Sequence, residues 1–214
     1  GIDEAIVYHQ AMIDVAPRYG NNLFLSCADN YTGRLKGTLA VLPSVSDKGF
    51  GLDEIFGAMK RYGLFALRAN PKLNRFMLDG ITCGDLLSAC IEKNVPIYLS
   101  PRDGWEHIFA ALKEFPALTV IIHNYGLWES DRYIFPLVRS YKNVYVDSGD
   151  YQETDGIAAF VSKCGSEKML FGTNYPMDNM GGPKAMLLMS GIKPSEKENI
   201  AHGNIERLMK NVRL

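Results

Sequence analysis

The sequence predicts an α/β fold on a parallel sheet, of the (β/α)8 TIM-barrel type with about seven core strands. Three observations predict it. Short apolar runs rich in β-branched residues alternate with helix-length amphipathic segments along the chain. The connections between the runs are too long for hairpins. Neither GxGxxG after the first strand nor a Walker A motif occurs, which weighs against a doubly wound nucleotide-binding sheet, the rival architecture. The 214 residues are expected to form one domain over 1–214.

In chain order, Asp3 to His9 reads as the first strand and Gln10 to Arg18 as a short helix or turn, broken at Asn21 and Asn22. Leu23 to Cys27 fits either a strand or a helix tail. Lys36 to Leu42, stopped by Pro43, is the next core strand. Asp53 to Tyr62 is a helix, with Asp53 as its cap and Gly63 as its stop. Leu64 to Leu67 is a strand with Arg68 at its end, and Cys83 to Lys93 a helix stopped by Asn94. Pro96 to Leu99 is a strand ending at Ser100; Asp103 then caps a helix through Phe115. Thr119 to Ile122 delivers His123, and Asn143 to Val146 delivers Asp147. Between them lies a helix, Asp131 to Tyr141, interrupted or bent by Pro136. Gly156 to Cys164 is a helix with Gly165 as its stop, followed by the last strand, Met169 to Phe171. Pro183 to Met189 and Ser195 to Ala201 are helical, the latter with a Ser195/Glu198 capping box. Asn204 caps the final helix.

Composition excludes several classes of function. The net charge is -1 with no run of like charges, so neither nucleic acid nor an anionic membrane surface is the expected partner. No apolar stretch approaches the roughly 20 residues that span a bilayer, and no signal peptide precedes the first strand. Cys27, Cys83, Cys90 and Cys164 form no CxxC pair. Reduced thiols and a cytoplasmic location are therefore expected.

Parallel α/β sheets bind ligands at the C-terminal edge of their strands. The residues predicted there are His9, Pro43-Ser44, Arg68, Ser100, His123, Asp147 and Asn174. In a closed barrel all would meet at one mouth. His123 is the strongest candidate, as a base or as a metal ligand. Arg68 could hold a carboxylate or phosphate, or else pair with an acid such as Asp147. Asp147 could act as a base or simply cap the Ser148-Gly149 loop. Trp105 and Trp128 could wall a pocket or cover a rim. Tyr8, Cys27 and Cys90 read as packing, and His107 and His202 as structural. Asn174 stands where a catalytic acid would sit, yet an amide cannot ionise to a base.

Six stretches, Lys36–Pro43, Asn94–Ser100, Pro116–Gly126, Asn143–Ser148, Lys168–Pro176 and Ala201–Leu208, resemble the barrel strands and closing helix of one family. It is the amidohydrolase-related family of metal-dependent hydrolases, which includes aminocarboxymuconate-semialdehyde-decarboxylase-like proteins. The resemblance implies a distorted (β/α)8 barrel of metal-dependent hydrolase type. It also implies hydrolysis or decarboxylation of a small carboxylate-bearing substrate with one zinc-like divalent ion. Against that pattern no His-x-His pair occurs anywhere in the sequence. Ser100 stands where the resemblance implies a His, and Asn174 where it implies an Asp. Only His123 remains of the implied set, a weak ligand if any metal binds, so the expectation is no metal ahead of one divalent ion such as zinc. The expected catalytic group is His123, Asp147 and Asn174, with Arg68, His9, Ser100 and Trp128 contacting substrate. The chain reads as if it begins at the family's second strand. A homo-oligomer covering the missing first strand is one expectation, and a non-catalytic barrel that binds a small ligand or partner is the alternative to an enzyme.

Overall fold

The computed structural model describes residues 1–28, 30, 33–45, 50–125, 131–151 and 155–214. The chain packs as two units, one of Gly1–Leu99, Glu106–Leu118 and Val212–Leu214, the other of Ser100–Trp105 and Thr119–Asn211.

The first unit holds four strands, β1 (Ala5–Val7), β2 (Leu35–Ala40), β3 (Ala66–Ala69) and β4 (Ile97–Leu99). Each pairs in parallel with the next. β3 and β4 are buried at every residue, as strands covered on both faces must be. Leu39, Leu67 and Ile97 lie in one row of the register, and Ala40, Arg68 and Tyr98 in the next. Alternation therefore puts Arg68 and Tyr98 on the opposite face from the leucines. Each fully buried aliphatic side chain in these rows contributes about 1.5–3 kcal/mol.

Helices α1 (Ala11–Asp14) and α2 (Pro17–Ala28) precede β2. Asn21 and Asn22 do not break the helix, and Leu23 to Cys27 continue it. Asn21 is wholly buried. Its carboxamide donates to Ala40 O and accepts from Ala40 N, both at 2.8 Å. Ala40 lies beyond the last β1 partner, Gly37, so this side chain supplies the two hydrogen bonds that a longer β1 would have made.

Helix α3 (Leu52–Tyr62) is capped by Gly51, not Asp53. Asp53 and Glu54 occupy its first turn and Lys60 and Arg61 its last, the charge order the helix dipole favours. Gly63 ends it in the left-handed region at φ 63°. After β3 comes the short α4 (Pro71–Asn74). Helix α5 (Gly80–Glu92) follows, with Asp79 accepting from Ile81 N and Thr82 N at 3.1 and 2.8 Å. Asn94 stops it at φ 51°. Asp103, expected to cap the next helix, stands two residues before that helix begins. It is buried in a 3₁₀ turn, Pro101–Asp103, before α6 (Trp105–Glu114). The exposed Cys27 is not a packing residue, whereas Cys90 is buried.

The second unit holds β5 (Val120–Ile122), β6 (Val144–Asp147) and β7 (Met169–Leu170), again parallel. Helix α7 (Asp131–Ser140) keeps Pro136 inside it, and α8 (Gly156–Cys164) leads to β7. Helix α9 (Gly181–Met189) and α10 (Pro194–Glu198) follow. The cap of α10 is a bond from Lys193 N to Glu196 Oε2 at 2.8 Å, two residues ahead of the Ser195/Glu198 pairing expected. A π-helical turn, Asn199–Gly203, runs straight into α11 (Asn204–Asn211). Asn204 is thus inside helical structure and caps nothing. It is fully buried, and its Nδ2 donates to Ser166 O and Met169 O at 2.7 and 2.6 Å. Phe171 N donates to Ile200 O at 2.9 Å. The edge of β7 that faces away from β6 is therefore bonded by the chain's own C-terminal segment.

No helix among the described residues is long and apolar enough to cross a membrane.

Candidate active site

In the first unit the polar strand-end group centres on Arg68. It lies inside β3 rather than after it, because pairing continues through Ala69↔Leu99. Only 5% of it is exposed. Its guanidinium carbon sits 3.9 Å from the Tyr8 ring centroid and 5.1 Å from that of Tyr98. Its Nε donates to the buried Thr38 Oγ1 at 3.4 Å. Tyr8 is thus a wall of this group and not mere packing. A guanidinium against aromatic faces is held by cation–π attraction. His9 follows Tyr8 and is half-buried. Its Nδ1 accepts from Ala11 N at 3.1 Å, which leaves Nε2 as the donor nitrogen. Ser44 lies past β2, and its hydroxyl donates to Asp85 on α5.

In the second unit, Ser100 is buried. Its Oγ accepts from Arg102 N at 3.2 Å and donates to Asn124 O at 3.4 Å. His123 follows β5 directly and is 7% exposed. Asn124 turns the chain at φ 52°. Asp147 ends β6, and its Oδ1 accepts from Gly149 N at 2.8 Å, the loop cap that was one of its two expected roles. Gly172 packs against this carboxylate so closely that a Cβ there would overlap it. Tyr125 Oη donates to Asp147 O at 2.8 Å. Trp105 stacks on Tyr133, centroids 4.7 Å apart. Trp128 lies outside the described residues.

Asn174 has φ 52°, and its carbonyl accepts from Met177 N and Asp178 N. Its Nδ2 donates to Asp150 Oδ1 at 2.9 Å and to Asp178 Oδ2 at 2.6 Å. Both hydrogens of that nitrogen are therefore engaged by carboxylates. Asp150 is 6% exposed, and Arg102 reaches to 3.9 Å from its Oδ2. Sequence alone missed Tyr98, Asp150 and Asp178. Tyr98 joins through strand register, and the two acids through loop folding. His202 is exposed and pairs with Glu206 at 3.0 Å, one turn on.

The amidohydrolase family model matches residues 4–210. The chain belongs to the amidohydrolase family. No curated protein sequence matches it. Solved structures similar to this family member include an uncharacterised TIM-barrel protein from Bordetella bronchiseptica, 22% identical with a TM-score of 0.75, covering 98% of this chain and 78% of that one. A 2,6-dihydroxybenzoate decarboxylase from Rhizobium is 14% identical with a TM-score of 0.73, covering 95% and 80%. A dihydroxybenzoic acid decarboxylase from Polaromonas sp. JS666, solved with manganese and 2-nitroresorcinol, is 16% identical with a TM-score of 0.70, covering 98% and 79%. These likenesses show the fold: this amidohydrolase-family chain is a TIM-barrel type, with seven parallel strands among the described residues.

The family implies a divalent metal, which would need a set of strong donors here. Among the described residues no group of three or more His, Cys, Asp or Glu is placed to hold an ion. Ser100 offers a neutral hydroxyl, and the Asn174 amide is committed to two carboxylates. Zinc and manganese sites need three or four strong donors. Among the described residues the donor set does not fit the ion.

Proposed function

We propose that this chain binds a small carboxylate-bearing substrate and acts as a hydrolase or decarboxylase whose metal site is degenerate. The observation that carries the proposal is Arg68, a buried guanidinium packed against Tyr8 and Tyr98 on the ligand-binding edge of a parallel sheet. Burying a charge is costly unless a partner of opposite sign or a π face compensates. A planar carboxylate matches the in-plane donors of such a group. The carboxylic acid substrates of the decarboxylases similar in fold support the same ligand class.

His123 is the proposed proton-carrying group of the second unit. It is an imidazole held at the end of β5, a side chain of the type that serves as general acid or base. Asp147 and Asn174 are the proposed positioning groups, since each fixes a strand-end loop through its side chain. A second function, ligand binding without catalysis, is favoured by the donor set, which falls short of a metal site among the described residues.

Calorimetric titration with 2,6-dihydroxybenzoate, before and after chelator treatment, tests the proposal. Binding that survives the chelator and is lost in Arg68→Met is expected. Binding abolished by the chelator would overturn the degenerate-site proposal. Release of carbon dioxide, or of a hydrolysis product from an ester probe, separates the enzyme from the binder.

A further inference from the structure

Asn70 follows β3 at its C-terminal end, two residues beyond Arg68. It is 2% exposed. Among the described residues its Nδ2 has no hydrogen-bond acceptor. Buried amide donors are nearly always paired, and an orphan is costly enough to call for a reason. Backbone strain does not supply one, since Asn70 has φ -125°. Helix capping does not supply one either, because Asn70 makes no side-chain cap to α4.

Asn70 stands one residue past the end of β3, so Arg68 is followed, toward the strand's C-terminal edge, by a second buried donor. The two differ in kind. Arg68 brings charge. Asn70 brings a directed neutral N–H in a site already stripped of water, where a hydrogen bond to an anion is strengthened.

We propose that Asn70 is a specificity-determining residue, its Nδ2–H donating to one carboxylate oxygen of the ligand while Arg68 holds the other. This inference rests on the carboxylate reading of Arg68 and adds a residue that no motif marks. Such a seat selects a carboxylate over an uncharged group of the same shape. An amide offers one acceptor oxygen and sets its own NH2 against one of the two donors.

Benzoate and benzamide, which are equal in size, are the probes. Wild-type protein is expected to bind benzoate and not benzamide. Asn70→Asp, which turns the donor into an acceptor, is expected to weaken benzoate at least about tenfold. In wild-type protein labelled with 15N-asparagine, the Asn70 side-chain amide resonance is expected to move on benzoate addition. That measurement decides the matter even if the variant does not fold. Benzoate binding that is undiminished in a folded Asn70→Asp, with an unmoved Asn70 resonance, overturns the seat and leaves the Arg68 reading standing. Failure of wild-type protein to bind benzoate overturns both.

Discussion

Asn174 donates its side-chain N–H to Asp150 at 2.9 Å, and the other hydrogen of that nitrogen goes to Asp178. The amide thus bridges two carboxylates that would otherwise repel. Asn174→Asp is expected to destabilise the protein by about 3 kcal/mol near neutral pH, through two lost charge-assisted bonds and three clustered negative charges. Like charges raise the folded-state pKa of the introduced carboxyl above its unfolded value. The folded variant then binds the extra proton, and the deficit shrinks as pH falls through that raised pKa. Urea unfolding of both proteins at several pH values checks it. An equal deficit at all pH values would contradict the bridge, and no gain in catalytic activity is expected.

Gly172 is required by the Asp147 carboxylate beside it. Gly172→Ala is expected to cost about 1–3 kcal/mol as the carboxylate is driven off Gly149 N. The same change made together with Asp147→Ala should cost much less, because the overlap is gone. Equal costs in both backgrounds, measured by thermal melting, would show that the carboxylate is not what fills the space.

Asn204 carries the link between α11 and β7. Asn204→Ala leaves Ser166 O and Met169 O without their donor in a buried place. A loss of about 2–4 kcal/mol is expected. Asn204→Asp should be no better, since a carboxylate cannot donate to either carbonyl. An exposed capping asparagine would instead tolerate Asp well, so the pair of variants distinguishes the two placements.

The thiols are expected to differ sharply in reactivity. Burial pushes both Cys83 and Cys90 up to about 12, with Asp79 and Asp85 adding to the effect at Cys83. Burial also raises the half-buried Cys164. At about pH 8 the thiolate is scarce at these sites, and an aromatic disulfide reagent should label the exposed Cys27 first. Cys83 and Cys90 should react only as the protein unfolds. Rapid labelling of either in the native state would contradict their burial.

Much of the frame was legible in the sequence because buried parallel strands are nearly continuous apolar runs. Val120–Ile122 is a plain case, and α8 shows both its ends through Gly156 and Gly165. The errors cluster where a polar side chain does tertiary work. Asn21 and Asn204 look like a helix breaker and a cap, yet each is buried and bonds backbone of a neighbouring strand. Local propensity cannot see a partner 19 or 35 residues away. The same holds at the candidate site. Arg68 was visible as a strand-end cation, but Tyr98 joins it through register, and Asp150 reaches Asn174 only once two loops have folded.

The proposed loss of a tightly bound metal from this amidohydrolase-family barrel is tested most directly by elemental analysis of protein purified from cells grown with zinc and manganese. The expected result is a content far below one ion per chain, unchanged by chelator. A content of about one zinc or manganese per chain, removed by chelator together with carboxylate binding, would contradict it.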